Sequence, residues 1–76
     1  MGRRFEATRR LAGISIRGLT GRLGCSTASV MQWQNGIVPR ASTRARIAKI
    51  LGKPAEEIWA EQYALEDAMR EVRDTA

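Results

Sequence analysis

The chain has 76 residues, one cysteine and no histidine, and its formal net charge is +5. A chain this short forms a single small domain with a modest core, and the lone Cys25 excludes an internal disulfide. Without histidine or paired cysteines, neither a zinc ligand set nor the usual acid–base and nucleophile combinations are present. The composition therefore predicts a protein that is not an enzyme and that holds no metal or other cofactor.

The positive charge is concentrated in the first two thirds of the chain. Residues 1–53 carry eleven basic side chains and one acid, Glu6, for a net charge of +10, whereas residues 54–76 have a net charge of −5. Such a basic segment is typical of proteins that bind a polyanion, above all nucleic acid. The alternative is a charged surface that only keeps the protein soluble.

Glycines separate the first predicted helices. We expect a helix over residues 3 to about 12, ended by Gly13, and a second helix over 16–23, capped by Ser15 and ended by Gly24. The apolar spacing predicts that the first helix buries Phe5, Thr8 and Ala12 and the second Leu19, Thr20 and Leu23.

Two further helices follow with similar boundary signals. Ser26 is placed to cap a helix over 27–34, and Ser42 or Thr43 is expected to open a fourth helix that ends at Gly52. The residues expected in the interior are Val30, Trp33, Ala45, Ile47, Ala48, Ile50 and Leu51.

The last helix is expected to begin with Pro54 in its first turn, to contain Ile58 and Trp59, and to continue to about residue 73. Since no segment shows the alternation of a strand, we predict an all-α fold. It is a compact bundle of about five short helices with a C-terminal helical extension. Residues 1–60 form the predicted DNA-binding domain and 61–76 an acidic C-terminal helix.

The segment "SIRGLTGRLGCSTASVMQW" joins the second and third predicted helices through a short turn that contains a glycine. This spacing is typical of a helix-turn-helix, in which the second helix is presented outward for DNA.

The neighbouring segments resemble the Cro and lambda-repressor-like (XRE-type) helix-turn-helix family over roughly residues 5–60. The resemblance depends on "TRRLAGIS", "LTGRLGCSTASVMQWQNG", the "VP" of the following loop and "TRARIAKILGKPAEEIW". It implies a five-helix bundle that binds operator DNA, usually as a dimer. We therefore expect a small phage-type repressor or Cro-like regulator in the bacterial cytosol or nucleoid, with no membrane contact and no small-molecule ligand.

Two positions depart from the pattern of that family. Ile16 stands where the family usually has a glutamine that contacts phosphate, and Thr20 stands where it favours alanine. The first departure transfers the expected phosphate contact to Arg17.

If Val30 and Trp33 face the core, the outer face of the third helix is uncharged. Glutamine pairs with adenine and methyl groups contact the thymine methyl, so such a face can read base edges. The residues predicted to read bases are Thr27, Ala28, Met31 and Gln32. The alternative is an ordinary helix with a solvated face.

Cations, small polar side chains and helix N-termini around this helix are expected to contact the DNA backbone. The predicted phosphate-binding residues are Arg17, Ser26, Ser29, Asn35, Arg40, Ser42, Thr43 and Arg44.

The C-terminal helix has residues at spacings of four and three, the pattern of a coiled-coil seam with a polar glutamine inside it: Ile58, Gln62, Leu65, Met69 and Val72. Leu65, Met69 and Val72 are dimerisation candidates, and the alternative is that the helix folds back as extra core. Two other functions stay open: an excisionase-like architectural factor for recombination, and an antitoxin-type protein-interaction module.

Overall fold

A computed structural model describes the backbone of residues 2–75 and the side chains of residues 3–72. This part of the chain is all-helical and contains no strand, which confirms the predicted fold class. The helices are α1 (Gly2–Leu11), α2 (Ile16–Leu23), α3 (Thr27–Gln34), α4 (Ala41–Leu51), α5 (Ala55–Ile58) and α6 (Ala60–Thr75).

The predicted starts of α2 and α3 are confirmed by their capping contacts. The Ser15 hydroxyl accepts a hydrogen bond from the backbone N–H of Gly18 at 2.9 Å, and the Ser26 hydroxyl accepts one from that of Ser29 at 3.3 Å. Each bond satisfies an N–H group that has no partner within the helix. Between the two helices, Gly24 ends α2 with φ at +70°, a conformation that side chains with a Cβ atom rarely adopt. The bounds of α2 and α3 and the short turn between them thus follow from local capping.

The start of α4 differs from the prediction. The helix begins at Ala41 because the backbone N–H of Arg44 donates to the Arg40 carbonyl at 2.9 Å, so Arg40 is the N-cap residue. Its side chain makes no capping hydrogen bond. Ser42 and Thr43 lie inside the first turn, and the prediction that one of them caps this helix is wrong.

The predicted last helix is divided in two at Trp59, whose backbone (φ −119°, ψ 47°) is not helical. Ile58 and Trp59 are both buried, although consecutive residues of a straight helix point about 100° apart. The break at Trp59 lets both side chains enter the core, and α6 begins after it at Ala60. Pro54 precedes α5 as its N-cap residue instead of lying in its first turn.

The core is a cluster of aromatic and aliphatic side chains drawn from the first five helices and from Trp59. The Phe5 ring stacks on Trp59 with centroids 6.1 Å apart and meets Trp33 edge-on at 6.2 Å. The buried apolar residues are Phe5, Leu19, Leu23, Val30, Trp33, Ile47, Leu51, Ile58 and Trp59. Apart from Ile58, these are residues that the sequence predicts in the interior.

Other predicted interior positions are less enclosed. Ala12 and Ala45 are exposed, so their predicted burial is wrong, because Ala12 lies beyond the end of α1 and Ala45 faces outward on α4. Thr8, Thr20, Ala48 and Ile50 are half-buried.

The first turns of α6 lie against the bundle, but residues 67–72 are exposed. The helix packs mainly on α5, and the molecule is elongated, measuring 45 × 21 × 19 Å. Leu65, Met69 and Val72 are exposed and do not extend the core, whereas Tyr63 in the first turn of the helix packs against it. Among the described residues, no helix combines the length and apolar character that crossing a bilayer requires.

Candidate nucleic-acid interface

Helix α3 is seated on the core by two side chains. Val30 and Trp33 are buried, as predicted from their spacing, and Trp33 packs against Phe5 of α1. The opposite side of the helix faces solvent. We call it the α3 face; it consists of Thr27, Ala28, Met31 and Gln32, all of which are exposed.

The α3 face is small, neutral and accessible. No residue of α3 carries a charge, so the face presents only methyl groups, a thioether, a hydroxyl and the Gln32 amide. A helix with its side chains is about 10–12 Å wide, similar to the major groove of B-DNA at about 12 Å. Met31 is steadied by the Gln34 amide, which contacts its sulfur at 3.7 Å. Its side chains are of the types that can contact base edges.

A buried arginine that sequence reasoning missed connects α3 to the rest of the fold. Arg9 is 7% exposed; its Nε donates to Oε1 of Gln34 at 3.1 Å and its Nη1 donates to the Ile14 carbonyl at 2.9 Å. These bonds link α1, the loop before α2 and the end of α3. Arg9 lies four residues after buried Phe5, and this spacing is the signal that marked it as inward-facing.

Arg17 is exposed in the first turn of α2, and neighbouring Ile16 is half-buried against the core. The first turn of this helix contains no acidic residue. A cation at a helix N-terminus is disfavoured by the helix dipole. The positive charge of Arg17 and the positive end of the α2 dipole therefore lie close together, and both would attract an anion.

The N-terminal end of α4 also has an arginine beside it and no acidic residue in its first turn. Arg40 is exposed at the N-cap position without a side-chain capping bond, and the first turn contains no acidic residue. Ser42 is exposed and Thr43 half-buried within that turn. The N–H groups of the first turn have no partner within the helix. This end of α4 combines those donors with the charge of Arg40.

The other predicted phosphate contacts lie at the two ends of α3. Ser26 and Asn35 are exposed, whereas Ser29 is half-buried with its hydroxyl 3.2 Å from that of Ser26. Asn35 forms the C-cap of α3. The hydroxyl of Ser26 already accepts the capping bond, which leaves it one O–H donor and one acceptor lone pair, and the Ser29 hydroxyl lies within hydrogen-bond distance of it.

Arg44 requires a correction, because it does not reach the surface as the phosphate prediction needs. It is 4% exposed and shares the inner side of α4 with Ile47 and Leu51. Its Nη2 atom lies 3.2 Å from Oε1 of Glu66 on α6, and its Nε and Nη1 atoms are buried without a hydrogen-bond partner. Its spacing of three and seven residues from Ile47 and Leu51 indicated this position. The prediction that Arg44 contacts the DNA backbone is therefore wrong.

The side chains around Glu66 stabilise the charged form of its carboxyl group. Hydrogen bonds from the Gln62 amide and from Arg44 hold its pKa below the ordinary value of 4.5. The carboxylate is thus charged at neutral pH and balances Arg44.

Comparison with known proteins adds no further constraint: no family model, no curated protein and no solved structure matches the chain.

Proposed function

We propose that this protein binds double-stranded DNA sequence-specifically and regulates transcription, most simply as a repressor of the phage or Cro-like type. The observation that carries the proposal is the α3 face, an exposed and uncharged helix surface within a segment whose net charge is +10. Charged side chains would bind any DNA sequence, whereas base discrimination needs short polar and methyl-bearing groups. The division between a neutral face and basic surroundings matches those two requirements.

Within this proposal the α3 face enters the major groove. The Gln32 amide is suited to donate to N7 and accept from N6 of one adenine, and the methyl groups of Thr27 and Ala28 are suited to contact thymine. Met31 adds a flexible apolar contact. The face therefore favours A·T pairs, since it lacks the arginine or lysine that would select guanine.

The contacts to the DNA backbone come from the N-terminal ends of α2 and α4. Arg17 and Arg40 each supply a cation beside a helix N-terminus without an acidic residue in its first turn. Each phosphate that a cation neutralises releases a counterion, so affinity falls as salt rises. These contacts supply affinity and register, and the α3 face supplies sequence preference.

The test is selection of bound duplexes from a pool of random double-stranded DNA with the full chain. We expect an enriched A·T-containing motif and clearly weaker binding of single strands with the same sequence. Recovery of unenriched sequences that bind as tightly as the selected pool would contradict base reading. An enriched site that the protein bends sharply, as shown by the gel mobility of permuted fragments, would instead favour the architectural recombination role.

A further inference from the structure

An apolar strip follows one side of α6 beyond the bundle. Leu65 and Met69 are each 53% exposed and Val72 is 69% exposed, at successive spacings of four and three residues. This is the spacing of the seam of a two-stranded coiled coil, with Met69 at an a position and Leu65 and Val72 at d positions. We call these three residues the α6 seam.

The seam is not needed to hold α6 on its own bundle. Attachment comes from other side chains: Tyr63 packs beside the core and under Arg44, and Glu66 pairs with the same arginine. The seam therefore occupies a different side of α6 from the residues that fix the helix in place. Apolar side chains repeated at this spacing on an exposed helix mark an interaction surface.

The charges that flank the seam indicate which partner fits. In the heptad register above, Glu61 is at a g position and Glu66 at the following e position, and these two positions face each other across a parallel pair of identical helices. Two carboxylates there would repel each other. In this chain each has a cation of its own: Arg4 lies 3.7 Å from Glu61, and Arg44 lies 3.2 Å from Glu66.

From this arrangement we infer that the α6 seam binds a second copy of this chain, as a parallel helix pair. The repulsion that would oppose pairing is reduced within each chain by an arginine from its own bundle. A basic partner, by contrast, finds both flanking carboxylates already engaged. The remaining charged residues among 61–72, namely Asp67, Arg70 and Glu71, occupy outer heptad positions.

The pair is expected to be weak in solution. The seam spans little more than one heptad, far less than the contact area of a tight dimer. Two chains on adjacent DNA half-sites would pair at a much higher effective concentration. Self-association itself does not depend on the proposed function, so the two are tested separately.

The test is sedimentation equilibrium of the full chain from about 5 µM to about 1 mM, a range that covers weak dimers. We expect the mass to rise from one chain toward two, and to stay at one chain for Met69→Glu. The matched control is Ala64→Glu, which adds the same charge to an exposed position of α6 outside the seam and should still dimerise. A single-chain mass throughout, or dimerisation that Met69→Glu leaves unchanged, would overturn the inference.

A second variant tests the charge argument without touching the seam. Arg4→Ala removes the cation beside Glu61, and we expect the dimer to dissociate about two- to fivefold more readily, the range of a surface ion pair. Adding Glu61→Gln should restore the original dissociation constant because it removes the carboxylate that repels its neighbour. If Arg4→Ala has no effect, or if the double variant stays weak, the parallel arrangement is wrong.

Discussion

Arg44 is buried over the ring of Tyr63, with its guanidinium carbon 4.8 Å from the ring centroid. The contact joins α4 to the first turns of α6, and the Glu66 carboxylate completes it at 3.2 Å. A buried guanidinium is costly unless it is paired, so α6 is attached to the bundle by a charge as well as by apolar contact.

Glu66→Gln is therefore expected to lower the thermal stability of the protein at neutral pH. The amide can still accept a hydrogen bond, but it no longer balances the charge of Arg44. The measurement is thermal unfolding followed by circular dichroism. Asp67→Asn is the matched control, because it removes the next carboxylate, which lies in an exposed pair with Arg70; its melting temperature should change little. Equal melting temperatures for all three proteins would contradict this role of Glu66.

The same pair predicts a pH dependence. Because the pKa of Glu66 is lowered by folding, its stabilising contribution is fully present above the ordinary value of 4.5 and is lost as the pH falls below that value. The difference in melting temperature between the wild-type protein and Glu66→Gln should thus be constant near neutrality and shrink in acid. A difference in melting temperature that grows on acidification would show that the charged form of Glu66 does not stabilise the fold.

Arg9 is expected to be important for stability, because it connects three segments with two hydrogen bonds from a buried position. Arg9→Met keeps an unbranched side chain but loses both bonds, and we expect unfolding to become easier by about 2–3 kcal/mol. Chemical denaturation measures this change. Arg10→Met is the control: Arg10 is exposed and pairs with Glu6 on the same helix, so its effect should stay within about 0.5 kcal/mol. Similar losses for the two variants would argue against the role of Arg9.

Arg40→Ser should separate folding from DNA binding. Serine is a favoured N-cap residue and arginine caps nothing here, so the variant should gain about 0.5–1 kcal/mol in stability. It should also bind all DNA sequences more weakly, with the slope of log affinity against log salt reduced by about one unit. Arg70→Ala, which removes a cation from α6, should leave that slope unchanged. A loss confined to one base position would make Arg40 a base-reading residue.

Much of the fold follows from local signals in the sequence. Ser15 and Ser26 mark the starts of α2 and α3, and Gly24 marks the end of α2. The apolar spacing of Val30 and Trp33 sets which side of α3 faces outward. These features depend on neighbouring residues in the chain, so they are predictable from one sequence.

Two of the errors concern residues whose position depends on distant partners. The spacing of Arg44 on α4 indicates that it faces inward, but its pairing with Glu66 and Tyr63 of α6, which makes burial of the guanidinium acceptable, involves residues distant in the sequence. The break at Trp59 arises because the core accepts two consecutive side chains, which helix propensity does not report. Both cases require knowledge of how α6 meets the bundle.

The central claim is that the α3 face reads base edges, and Gln32→Ala tests it most directly. Gln32 is exposed, so the variant should fold normally, and the measurement is its affinity for every single-base variant of the selected site. The account predicts a loss of discrimination of about 1–3 kcal/mol at one base pair and unchanged preference elsewhere. A uniform loss across all sites, or an unchanged preference at every position, would contradict it.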